Sequence, residues 1–191
     1  LTIDEPTHSD NISGTWLTSD ANGQPVKMDR RTYDQLIALN DTYGHKLDWF
    51  IRLTKESTEK LVLFTRFHGA WKMICNALQS SAIPFVSIEG RMTPKRRKKS
   101  IEQFQNNPDV RVFVMTTKTA SVGITLTAGS HVVFLEPCNN THVRKQAIGR
   151  VWRIGQKNPI TVTTLKTLDT VDCVNDLDSH LNLSNQHDAY V

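Results

Sequence analysis

Cysteine is scarce: Cys75, Cys138 and Cys173 stand far apart, with no C-x-x-C pair. That spacing argues against a zinc cage or a disulfide framework and fits a reducing compartment. No apolar run is long enough to span a bilayer, so no membrane partner is expected. There is no initiating methionine and no signal peptide, and Leu1 is expected to mark a cut within a longer polypeptide. Two further absences concern chemistry. The chain has no G-x-x-x-x-G-K-[ST] loop to cradle phosphates, and no acidic pair stands at a strand end to hold magnesium. Asp4-Glu5 is no substitute, because no apolar strand precedes it to present the carboxylates. A phosphate cradle and a magnesium site are therefore both missing, and the chain alone is not expected to hydrolyse a nucleotide; no metal ligands are assigned.

What is present suits a folded domain. At 191 residues, with 38% hydrophobic and 22% charged side chains, the chain is of ordinary single-domain size. The formal charge is only +4, yet Arg91, Lys95, Arg96, Arg97, Lys98 and Lys99 crowd into residues 91–99. Charge that local points to a polyanion nearby, against the blander reading of a solvated face.

Residues 1–29 are polar, turn-rich and aperiodic, which predicts irregular or partly disordered structure. Over 30–59, apolar residues at helical spacing on either side of Gly44 (Tyr33, Leu36, Ile37, then Leu47, Phe50, Ile51) predict two short helices. From 60 to 168, apolar strand-like runs (61–67, 84–88, 110–116, 131–137, 160–166) alternate with amphipathic stretches (69–81, 94–105, 142–153). Strands of that kind belong to a parallel sheet covered by helices on both faces, an α/β fold. Val171, Val174, Leu177 and Leu181 suggest a last helix within 169–191, a brace followed by a polar tail.

Ligands of such sheets bind at the carboxyl ends of the strands, so the loops there are the places to search. After the first strand stand Thr65, Arg66 and His68. After the second, Glu89 and Gly90 lead to Thr93-Pro94, an N-cap followed by a first-turn proline, which starts a helix whose apolar side carries Arg97, Ile101 and Phe104. After the third, residues 116–123 are small or hydroxyl-bearing, and such a turn can aim successive N–H groups at an anion, with Gly123 allowing close approach.

The most informative stretch is 146–156, QAIGRVWRIGQ. On a helix, Gln146, Arg150 and Arg153 share one face, while Ala147, Val151 and Ile154 form an apolar row beside it. Two guanidiniums beside a glutamine suit the spread charge of a polyphosphate.

QAIGRVWR resembles the last helicase motif of superfamily-two ATPases, and the following Ile154-Gly155-Gln156 is similar to the Swi/Snf-type branch. The segment around Gly90, Arg97, Ile101 and Phe104 resembles the fourth motif, and Thr117 to Gly123 the fifth. The sequence departs from that branch in having Ala120 and Ser121 where paired glycines are usual and Thr125 for asparagine. Cys138 and Asn139 replace tryptophans, and Gly149 replaces aspartate. Asn140 matches and is expected to cap the next helix.

The resemblance, covering about Leu61 to Lys166, implies a single RecA-like lobe, the helicase C-terminal domain. It implies ATP as cofactor, with Mg2+ held by an N-terminal RecA-like lobe of the same polypeptide. Arg150 and Arg153 would be the fingers on the terminal phosphate, with Gln146 and Gly123 near the nucleotide. Arg66, Gly90, Arg97, Thr117 and Lys118 would face DNA. The parent would be a nuclear, double-stranded DNA translocase in chromatin remodelling or DNA repair, with nucleosomes as a further partner. Two other readings are a degenerate, non-catalytic lobe kept as a DNA-binding or scaffolding module, and a free-standing domain binding a small nucleotide.

Overall fold

The computed structural model describes residues 44–121, 123–138, 140–167 and 172, together with the strands at 15–19, 25–29 and 186–190. The chain divides into two compact units, Leu1–Gly44 and His45–Val191. In the first, β1 (Thr15–Ser19) and β2 (Pro25–Asp29) pair antiparallel, Trp16 opposite Met28. This part was expected to be irregular. The overlooked signal is two short runs, each with apolar residues, either side of Asn22-Gly23, a common hairpin dipeptide.

The second unit begins with α1, helical over 44–56. It buries Lys46, Phe50 and Thr54 at i, i+4 spacing. The second of the two expected helices is thus present; the one expected before Gly44 lies outside the described residues. The sheet comprises β3 (Leu61–Thr65), β4 (Phe85–Ile88), β5 (Val112–Thr116), β6 (His131–Phe134), β7 (Thr161–Lys166) and β8 (Gln186–Tyr190). Their order is β4-β5-β3-β6-β7-β8, and every pairing is parallel. β8 lies in the segment expected to be a polar tail, and the brace helix expected before it falls outside the described residues apart from Asp172.

The helices α2 (His68–Ser80), α3 (Pro94–Asn106) and α4 (Thr141–Ile148) connect the strands. Val62, Phe64, Phe113, Met115, Val132 and Phe134 form one apolar face, on which Phe104 of α3 and Ala147 and Ile148 of α4 pack. The intervening residues Leu61, Leu63, Val112 and Val114 are equally buried. α2, with Ala70, Ile74 and Leu78 inward, packs against β3 and β5. Burial on both faces is why these strands read as unbroken apolar runs. The N-cap expected at Thr93 is present: its hydroxyl accepts from the Arg96 N–H at 3.4 Å, with Pro94 in the first turn. Lys60, at the foot of β3, donates to the Phe104 and Asn107 carbonyls and so closes the far end of α3.

Cys75 is half-buried; burial pushes its thiol up to about 11, with Glu89 adding to the rise and a hydrogen bond to Ser87 opposing it. At neutral pH it is a protonated packing residue.

One glycine is fixed by the core. A Cβ on Gly129 would lie 2.7 Å from Val62 Cγ2 and 3.4 Å from Phe104 Cζ. Gly129→Ala is therefore expected to lower unfolding stability by about 1–3 kcal/mol, measured by chemical denaturation. A loss smaller than about 0.5 kcal/mol would show that the core yields at no cost.

Candidate nucleotide and nucleic-acid site

The connection leaving β3 runs to α2, whereas those leaving β5 and β6 serve the opposite side, toward α4. Loops that part in this way open a crevice at the strand ends. A cleft of about 520 Å³ lies there. Arg66 follows β3, Thr117 and Lys118 follow β5, Cys138 and Asn140 follow β6, and Val143 and Gln146 project from α4.

A buried carboxylate holds this edge together. Glu136, 5% exposed, accepts from the Thr65 hydroxyl at 2.7 Å through one oxygen and from the Arg66 N–H at 3.0 Å through the other. It thereby locks the end of β3 to the end of β6 and sets where Arg66 leaves the sheet. Arg66 then stacks over the Phe67 ring, 5.3 Å from its centroid. Sequence reasoning passed over Glu136; the signal was an acid at the very end of an apolar strand. Asn140 caps α4 as expected, its side-chain oxygen accepting from His142 N at 2.9 Å and Val143 N at 3.2 Å.

The fifth-motif loop differs from the anion cradle expected of it. The Thr117 N–H donates to the Thr65 carbonyl at 2.9 Å, and the Thr119 N–H to the Thr116 hydroxyl at 3.3 Å. Both donors are thus spent on the fold, and what this end of the loop offers the cleft is side chains: the exposed Lys118 and the hydroxyl-bearing Thr117, 8% exposed. Gly123, further along, is exposed, with open space where a Cβ would stand.

A second correction concerns the arginines. The predicted helix 142–153 ends at Ile148, so Gln146, Arg150 and Arg153 do not share a helical face. Hydrogen bonds shift to three-residue spacing at Arg150 N–Ala147 O (3.1 Å) and Val151 N–Ile148 O (2.9 Å), and the Arg150 carbonyl is taken by Leu126 N at 2.8 Å. Gly149, a poor helix former, occupies the C-cap. The buried row of α4 is therefore Arg144, Ala147, Ile148 and, past the helix end, Val151, while Ile154, expected in the core, is fully exposed. Arg144, 1% exposed, lies over the Phe134 ring and donates to Thr164 Oγ1 at 3.3 Å. Its place on the apolar row was visible in the spacing.

The turn, and not a helix, presents the two arginines. Arg150 is half-buried, and its Nε donates to the Ala120 carbonyl at 2.8 Å. Arg153 is exposed; its Nη1 donates to Thr125 Oγ1 at 3.0 Å and faces the Ile124 carbonyl at 3.5 Å. Both are thus anchored to the same loop, 120–125, whose other end supplies Thr117 and Lys118 to the cleft. The turn closes through Gly155 at φ +102, a conformation favouring glycine, and through Gln156, whose amide donates to the Gly129 carbonyl at 2.7 Å. Gln146, expected beside the arginines, is placed in the cleft with Arg66 and Lys118. Gly90 and Arg97 are not among its lining residues; they stand at the β4 edge. Gly90 is exposed, and the half-buried Arg97 has a buried Nε with no partner among the described residues.

The model of the helicase conserved C-terminal domain matches residues 45–155. The chain belongs to that family. This helicase C-terminal lobe is 33% identical over 151 residues to the DNA repair protein Rad8 of Schizosaccharomyces pombe, covering 78% of this chain and 13% of Rad8. It is 37% identical over 111 residues to the ATP-dependent helicase Rhp16 of the same organism, covering 58% of this chain and 13% of that protein. The crystal structure of the C-terminal part of the Fun30 ATPase domain superposes with a TM-score of 0.65 at 26% identity, covering 68% of this chain and 43% of that one. The Swi/Snf-type assignment and the RecA-like single-lobe fold both stand with these relatives. The helicase lobe spans about an eighth of the length of the curated relatives it matches.

Glu136→Ala would leave the buried Thr65 hydroxyl and the Arg66 N–H without their acceptor. We expect a stability loss of about 2–3 kcal/mol, with a smaller loss for Glu136→Gln, whose amide oxygen still accepts. Equal losses for the two variants would mean that side-chain volume, and not the hydrogen-bonded carboxylate, holds the edge.

Proposed function

We propose that this chain is the C-terminal lobe of a nuclear, ATP-dependent double-stranded DNA translocase of the Swi/Snf type, working in chromatin remodelling or DNA repair. The observation that carries this reading is the shared anchorage of Arg150 and Arg153 on loop 120–125. With Nε committed to a backbone carbonyl, Arg150 keeps its two Nη groups as a fork with no partner among the described residues. A cation held this way needs no reorganisation when negative charge develops on a transferring phosphoryl group. Partial burial strengthens it further by lowering the local dielectric. Arg153, tethered through Thr125, is the more exposed of the pair.

The donor set fits a nucleotide's phosphates. ATP would supply the phosphoryl group whose transfer drives movement. Among the described residues no cluster of three or more His, Cys, Asp or Glu is placed to hold a metal ion, and the proposal assigns Mg2+ to the N-terminal lobe. On the other side of the loop, Arg66 and Lys118 offer cations to DNA phosphates, which bind without reading bases, as a translocating motor requires. Loop 117–125 joins the two sets, so a shift at one end is felt at the other.

The departures from the family pattern support an active lobe over a scaffold. Ala120, which stands where glycine is usual, is 1% exposed and supplies the carbonyl that holds Arg150; Thr125, in place of asparagine, still supplies an oxygen to Arg153. Thr125 makes its contact through its own side chain, whereas the Ala120 carbonyl is main chain and would be present with glycine too, so neither departure removes an anchor.

In the full-length protein, Arg150→Ala is expected to lower DNA-stimulated ATP turnover by about 10³-fold or more, with a smaller loss for Arg153→Ala. Wild-type turnover that survives both substitutions would refute the finger assignment. A wild-type protein that binds DNA but shows no stimulated turnover would establish the scaffold.

A further inference from the structure

The basic run was expected to sit near a polyanion, and its placement on α3 separates it into two sets. Arg97 lies on the side of Ile101 and Phe104, which pack on the core. At 100° per residue, Lys95 and Lys99 point opposite to Arg97, and Arg96 and Lys98 flank them. All four are exposed. The helix runs along β4 at the sheet margin, two strands from β3, roughly 10 Å at about 4.8 Å per strand. None of the cations on its outward side lines the cleft that holds Arg66 and Lys118.

This arrangement works against the helix. The first turn holds Lys95 and Arg96 and no acid, so its charges oppose the macrodipole. Lys95 with Lys98 and Lys99, and Arg96 with Lys99, are like-charge pairs at three- and four-residue spacing. The compensating pair, Lys98 to Glu102, is 3.8 Å apart and exposed at both ends. The outward face carries Glu102 and Gln103 besides the cations and no aromatic or aliphatic side chain that could anchor a protein interface or enter a bilayer. A phosphate polymer is the partner that charge without apolar anchors fits, since binding releases its counterions.

We infer that Lys95, Arg96, Lys98 and Lys99 form a second phosphate-binding surface, which engages a duplex DNA segment other than the one in the cleft. The inference rests on the translocase reading for the first segment only. The test uses the full-length protein without nucleotide and a 12-base-pair duplex at low salt, with stoichiometry read by sedimentation. The Lys95→Gln, Arg96→Gln, Lys98→Gln, Lys99→Gln variant is expected to bind one duplex fewer than wild type. The Lys95→Arg, Lys98→Arg, Lys99→Arg variant, which keeps the charge, is expected to retain wild-type stoichiometry. In a longer duplex that spans both surfaces, the slope of log affinity against log salt is expected to fall by about 3.6 in the glutamine variant, near 0.9 for each of four lost phosphate contacts. Equal stoichiometry in wild type and the glutamine variant would overturn the inference, as would loss of binding to an acidic peptide with duplex stoichiometry unchanged. A wild-type protein that binds no duplex at all would instead sink the translocase reading along with it.

Discussion

Burial of the central strands on both faces is the constraint from which the rest follows. β3, β5 and β6 have Leu, Val, Phe and Met on both sides because α3 and α4 cover one face and α2 the other. A strand so enclosed has little place for reactive groups along its length, since an unpaired polar side chain there would lose its hydration without compensation. Chemistry is displaced to the carboxyl ends, where the chain leaves the sheet. Glu136 lies just past β6 at that edge, a buried carboxylate satisfied by Thr65 and Arg66.

A loop at such an edge can serve two ligands only if both ends are fixed. Loop 117–125 meets that condition: Thr117 is tied to β3 through the Thr65 carbonyl, and Ala120 and Thr125 hold Arg150 and Arg153. The cost is that N–H groups which might have cradled an anion are used to build the loop. In the proposed reading, ligand contacts at that end of the loop fall to side chains, which places greater weight on Arg66, Lys118, Arg150 and Arg153 than a backbone cradle would.

The parallel sheet, its helices and both N-caps were legible in the sequence, because apolar runs, Thr93-Pro94 and Asn140 report local physics that tertiary contacts do not override. The end of α4 was not. Periodicity continues through Val151 and Ile154, but the Arg150 carbonyl is claimed by Leu126, a residue 24 positions earlier, and that competition has no local signature beyond Gly149. The arginines were singled out by motif, while their geometry was misread: they meet through a loop and not along a helix. Gln146 was displaced for the same reason, since the helix that bears it ends before the arginines begin. The antiparallel pairing of β1 with β2 was overlooked amid polar residues.

One loop is proposed to hold DNA contacts at one end and phosphate contacts at the other. The most direct measurement is a structure of the full-length protein with duplex DNA and a transition-state analogue of ATP hydrolysis. The account predicts guanidinium nitrogens of Arg150 and Arg153 within about 3 Å of the phosphoryl mimic, with Lys118 and Arg66 at hydrogen-bonding distance from duplex phosphates. Arginines turned away from a bound nucleotide, or a duplex that bypasses Lys118 and Arg66, would contradict it.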